Sequence, residues 1–162
     1  MRMRQGFVSN SSSTSYIIAY DIDTTCQCCG FGPDLLMQMF TDEDRGDRDS
    51  THIEYTDDDL IMYYSQALRE QERELSDLEK GIFPSWWASS KYTSQEQQCE
   101  SHKEYLQREI ANHKRILADI DDARMRHLIV KGIRISYHSR DVQLIFQTLR
   151  DKKMLEVINS TE

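Results

Sequence analysis

The amino-acid sequence predicts an α+β protein: a small sheet of about three to four strands, a long antiparallel helical hairpin, and a strand-helix-strand unit toward the C-terminus. Three observations predict it. Apolar residues alternate with polar ones at Ile18, Tyr20 and Ile22 and again at Ile133, Ile135 and Tyr137, the period of a half-buried strand. Between these runs lie two long stretches with helical periodicity, and residues suited to cap helices separate them. The 162 residues fit one domain, with 1–15 as a Ser-rich arm, 57–127 as a helical hairpin, and 128–162 as a strand-helix-strand unit packed with strand 16–23.

The elements follow in order from local chemistry. Ser9 to Ser15 is a polar run without periodicity, which reads as an arm, and the strand begins at Tyr16. Gly30, Gly32 and Pro33 break the chain, a short helix spans Leu35 to Phe40, and an acidic loop follows. Thr56, followed by three aspartates, is a strong helix start, because a threonine hydroxyl satisfies free N–H groups and acids favour the positive end of the helix dipole. This helix carries the stripe Leu60, Tyr64, Leu68, Leu75 and Leu78 and ends at Gly81. Thr93 with Glu96 forms a capping box for the second long helix, whose seam is Leu106, Ile110, His113, Leu117 and Ile120. Matching stripes on consecutive helices predict that the two pack as an antiparallel pair. Ser139 caps a helix with the stripe Val142, Ile145, Phe146 and Leu149, and a last strand covers Met154 to Ile158. Strand, helix and strand in so short a span predict a parallel pair.

Composition bounds the function. Hydrophobic residues make up 38% of the chain, enough for a core, yet no run of about 20 apolar residues is present to span a bilayer. After Arg2 and Arg4 the pair Phe7 and Val8 gives way to serines, so the apolar middle of a signal peptide is missing and a cytoplasmic location is expected. The net charge of −8 is unevenly spread. From Thr41 to Asp59 nine acids face two arginines, whereas from Arg124 to Lys153 eight basic residues face two aspartates. A basic stretch of that kind could serve a nucleic-acid-associated protein, or an inhibitor of a host nucleic-acid enzyme, but overall acidity disfavours nonspecific nucleic-acid binding. No phosphate-binding glycine loop, nucleophile elbow or H-E-x-x-H motif is present, so the sequence supplies no enzymatic assignment.

The cysteines and the aromatic loop carry the candidate sites. Cys26 and Cys29 form a C-x-x-C followed by Gly30, a turn in which backbone N–H groups can face two thiolates. Cys99 and His102 form a C-x-x-H, one helical turn apart and therefore on one face. Together they match the donor set of a tetrahedral Cys3His zinc site, with Cys28 or His52 as substitutes for one ligand. Unligated thiols of a reducing compartment, or a C-x-x-C redox pair, fit the same residues. Between the long helices, Phe83, Trp86 and Trp87 cluster around Pro84. Large rigid rings in a loop are typical anchors for a protein partner, and they also serve to cap a helix pair.

The opening residues Gly6, Phe7, Val8, Ser9, Asn10, Ser11, Ser12, Ser13, Thr14, Ser15 and Tyr16 resemble the G-F-V-S-N-poly-Ser-F signature of small, mostly uncharacterised phage and bacterial proteins. Some of those proteins continue into C-x-x-C and C-x-x-H pairs similar to Cys26, Cys29, Cys99 and His102. The resemblance implies a phage-type protein without implying an activity. The expectation is an accessory or virion-associated protein, located in the host or bacterial cytoplasm or within a virion, that binds a host factor or a virion neighbour.

Overall fold

The computed structural model describes residues 13–26, 30–42, 52–83, 95–136 and 140–161. The elements are β1 (Ser13–Tyr20), α1 (Pro33–Asp42), β2 (His52–Thr56), α2 (Asp57–Glu79), α3 (Gln95–Met125), β3 (Ile129–Ser136), α4 (Arg140–Asp151) and β4 (Leu155–Thr161). They form two compact units. One comprises the described residues up to Leu60 together with those from Asp119 onward, and the other the residues from Ile61 to Ala118.

The first unit is a four-stranded sheet in the order β2-β3-β1-β4, with every neighbouring pair antiparallel. Strands β3 and β4 run the same way around α4, as strand-helix-strand predicts, but they do not pair. β1 is inserted between them. It suits that central place because Ile17, Ile18, Ala19 and Tyr20 are all buried, so both of its faces are apolar. The residues facing the helices, Ile18, Tyr20, Ile133 and Ile135, join Leu36 and Met37 of α1 and Val142, Phe146 and Leu149 of α4 in one core cluster. Burying each such side chain contributes about 1.5 to 3 kcal/mol. On the other face, the space above Gly132 is taken by Tyr55 and by Leu60 of the first turn of α2. Even a methyl group on Gly132 would stand 3.1 Å from Tyr55 Cβ and 3.3 Å from Leu60 Cδ2.

Several boundaries differ from those expected, among them that of α1, which spans Pro33–Asp42 instead of Leu35 to Phe40. β1 spans Ser13–Tyr20 instead of 16–23, so Ser13 to Ser15 belong to the sheet and not to a polar arm. Thr14 and Ser15 are buried there, both paired with β3 and Ser15 also with β4. Ile22 lies beyond the strand in a turn and is 51% exposed. Part of the expected acidic loop is strand β2, an edge strand held by its pairing with β3. The last strand starts at Leu155 and reaches Thr161, because Met154 closes the end of α4.

The second unit is an antiparallel helix pair. Tyr64, early in α2, meets His113, late in α3, with ring centroids 5.2 Å apart, whereas Leu78, late in α2, clusters with Cys99 and Leu106, early in α3. The buried α3 positions among the described residues of this unit are Cys99, Leu106, Ile110, His113 and Ile116. Ile116 takes the place expected for Leu117, which is only partly buried. Among the described residues, no helix is long and apolar enough to cross a membrane.

Helix ends obey local rules. At the start of α2 the Thr56 hydroxyl donates to Asp59 Oδ2 at 2.6 Å, the Thr56 N–H donates to the same oxygen at 3.1 Å, and the Asp59 N–H donates to Thr56 Oγ1 at 3.3 Å. This reciprocal box satisfies end groups that a helix leaves unpaired. At the other end Gly81 adopts φ +76°, its N–H donating to Leu78 and that of Ile82 to Asp77. α3 and α4 end with the same hydrogen-bond pattern, but the left-handed residues are His127 at φ 61° and Lys153 at φ 56°.

Candidate functional site

The end of α2 exposes an apolar pair beside a charged helix face. Ile82 is 57% and Phe83 42% exposed, immediately after the Gly81 turn. With Leu78 they border a cleft of about 420 Å³ whose remaining described lining is Glu70, Arg73, Glu74 and Asp77. Residues 70, 73, 74 and 77 share one helical face, so their charges form a stripe leading to the apolar pair. The last turn of α2 contains no basic residue. The negative end of the helix dipole therefore adds to the field of Asp77, and Lys80 is the first cation beyond it.

Glu74 also fixes a histidine. His102 Nε2 lies 2.8 Å from Glu74 Oε1, and the imidazole stacks on Tyr105 with ring centroids 5.9 Å apart. Arg108 in turn lies over the Tyr105 ring. When the imidazole is neutral, its Nε2–H donates to the carboxylate, which selects one tautomer.

The expected zinc ligands fall into three groups. Cys99 and His102 are one turn apart on α3, but the Cys99 side chain is buried with Leu78 and Leu106 while His102 faces Glu74. Cys26 lies in the first unit. There the Cys26 N–H donates to the Phe31 carbonyl and the Gly30 N–H to the Cys26 carbonyl, each at 2.7 Å. Gly30 has φ +68°, a conformation that costs a glycine little. The Lys152 ammonium points at the Cys26 sulfur, with Nζ 3.5 Å from Sγ. Cys28 and Cys29 lie outside the described residues, as does the side chain of His52, whose backbone stands in β2 opposite Arg134. Among the described residues, no group of three or more His, Cys, Asp or Glu side chains could hold a metal ion. Of the expected partner anchors, Phe83 is described and exposed, and Trp86 and Trp87 lie outside the described residues. Sequence reasoning missed the carboxylate stripe of α2 and the Lys152–Cys26 pair, and 126 positions separate the members of the latter.

Part of the basic C-terminal stretch is matched by acids. Arg124 lies 3.6 Å from both Asp57 and Asp58, the acids of the first turn of α2. Arg126 donates both terminal N–H groups to Glu156 at 2.7 Å and its Nε–H to Asp122 at 2.9 Å.

No protein-family model, curated protein or solved structure matches this chain.

Proposed function

We propose that this chain is an interaction module that binds a protein partner at the end of α2, as an accessory or virion-associated protein of phage type. The observation that carries the reading is the exposed pair Ile82 and Phe83 beside the Glu70, Glu74 and Asp77 face. An apolar centre rimmed by charge is the usual build of a protein-binding surface: the rings supply affinity and the rim supplies orientation. Trp86 and Trp87 follow within five residues and add anchoring area of the same kind. The resemblance of residues 6–16 to phage and bacterial proteins supports a host factor or a virion neighbour as the partner.

The same reading includes a structural zinc ion, supported by local chemistry. Cys26 accepts a hydrogen bond from an ammonium, a donor that steadies a thiolate. His102 has one ring nitrogen committed to a carboxylate, the arrangement that orients a metal-binding imidazole.

The test of the interaction is capture of binding proteins from extract of the host cell by the intact chain and by the variant Phe83→Ala/Trp86→Ala/Trp87→Ala, with both melting curves recorded. The reading expects loss of a defined partner at unchanged melting temperature. An identical set of captured proteins contradicts it.

A further inference from the structure

We propose that the cleft that Cys26 and Phe31 form with α4 is a binding site for a small amphipathic carboxylate, an aliphatic chain ending in one anionic group. The cleft measures about 280 Å³ and lies wholly within the first unit. Its walls are Phe31, Ile145, Leu149 and Met154. Leu149 is fully buried, whereas Phe31, Ile145 and Met154 pack against the core from one side and leave apolar surface on the other. Leu144 stands at the lip, 68% exposed, on an otherwise amphipathic helix. An apolar side chain of that size in water at the mouth of an apolar cleft favours an apolar ligand.

The polar end of the ligand follows from Lys152. It is the one charged group among the described residues that line the cleft. Leu144, Thr148 and Lys152 are successive residues of one helical stripe, and the Thr148 hydroxyl donates back to the Leu144 carbonyl at 2.7 Å. Lys152 is held across the cleft by its contact with Cys26, so its charge stands over the apolar walls. A carboxylate accepts strongly from an ammonium, and an ammonium carries three N–H donors. A carboxylate entering beside Cys26 therefore gains a charge-assisted bond that an alcohol makes only weakly and an ammonium not at all. The volume is at the small end for small-molecule sites, which selects a short or medium chain over a two-chain lipid.

The test titrates the full-length protein with sodium decanoate, sodium octanoate, decanol and decylammonium, reading backbone amide shifts by NMR and affinity by calorimetry. The proposal expects saturable one-to-one binding, with shifts centred on Leu144, Ile145, Thr148 and Met154. Decanoate should bind about fifteenfold tighter than octanoate, since each buried methylene is worth roughly fourfold. Decanol should bind about fivefold more weakly than decanoate, and Lys152→Met should remove that difference. Leu144→Asp and Thr148→Trp, both at exposed positions, should each abolish decanoate binding, the first by repulsion and the second by filling the cleft. Equal affinity for decanoate and decanol, or no effect of Lys152→Met, would overturn the proposal and mark the cleft as a seat for an apolar side chain of another protein. Binding that survives both Leu144→Asp and Thr148→Trp would overturn it by placing the ligand elsewhere.

Discussion

Arg126 and Glu156 meet through two parallel hydrogen bonds of 2.7 Å, joining the turn after α3 to the edge strand β4. The geometry matches the fork of a guanidinium to both carboxylate oxygens. Arg126 holds the Glu156 carboxyl below its ordinary range, chiefly through these hydrogen bonds. A carboxyl depressed in the folded state adds stability above its unfolded value near 4.5, and that stability is lost as pH falls through the lower folded value. Asp59, lowered mainly by the Thr56 hydroxyl, acts in the same direction. Both side chains of the Arg126 pair are about half exposed, so solvent and salt weaken the effect. A double-mutant cycle of Arg126→Met and Glu156→Gln should show a favourable coupling at pH 7 that shrinks in high salt and vanishes at pH 2. A coupling independent of pH and salt would refute this account of the pair.

His113 makes the helical unit sensitive to acid. Its side chain is buried in the α2–α3 seam against Tyr64, with Glu109 4.0 Å away, and its Nδ1 has no hydrogen-bond partner among the described residues. Burial lowers its pKa from the ordinary 6.5, and Glu109 opposes the shift. The unfolded chain therefore takes up a proton near pH 6.5 that the folded chain still refuses, so stability falls as pH drops through that window. His113→Leu should remove this slope between pH 7 and 5. At pH 5 it should also stabilise the protein by about 1 kcal/mol, because it removes an unsatisfied buried atom. Parallel pH profiles for the two proteins would show that His113 is not the titrating group.

His127 and Lys153 occupy left-handed positions that suit glycine. The backbone cost for a side chain there is about 1 to 2 kcal/mol, partly offset by the lower entropy of the unfolded chain. His127→Gly and Lys153→Gly should each raise stability by about 0.5 to 1 kcal/mol in urea unfolding, with unchanged m-value. A loss of stability in either variant would show that the replaced side chain contributes more than its backbone costs.

Local signals were the legible part of this fold. Thr56 with Asp59 and Gly81 could be read directly, because a cap is decided by residues three to five apart. The stripe Val142, Ile145, Phe146 and Leu149 was equally plain, and all four residues belong to the core cluster or pack against it. What escaped depends on distant pairing. Ser13, Thr14 and Ser15 carry no apolar signal, and they are strand because β3 pairs with all three and β4 with Ser15. His52 to Thr56 is too short and polar to announce a strand, and β3 supplies its hydrogen bonds. Ile116 and Leu117 both suit a helical seam, and the facing helix decides between them. The Lys152–Cys26 contact brings together residues that no local pattern relates. Phe83 stands out in the sequence because its loop combines proline with large rings, and the side chain is exposed.

Zinc content tests the metal reading. Protein purified under reducing conditions should carry about one zinc per chain, and a strong chelator should lower its melting temperature, since a metal that binds only the folded state stabilises it. Cys26→Ser should release the metal. Protein that is zinc-free by elemental analysis after growth in zinc-supplemented medium would refute the reading.

The central claim, that a protein partner docks at the end of α2, is tested most directly by isothermal titration with the partner recovered by the intact chain. The variant Ile82→Ser/Phe83→Ala should bind at least thirtyfold more weakly, the effect of losing about 2 kcal/mol at an interface anchor. Its melting temperature should be unchanged, because both side chains are exposed. The control variant Leu144→Ser, exposed in the other unit, should bind as the intact chain does. Full affinity in Ile82→Ser/Phe83→Ala, with affinity lost in Leu144→Ser, would contradict the claim and move the docking surface to α4.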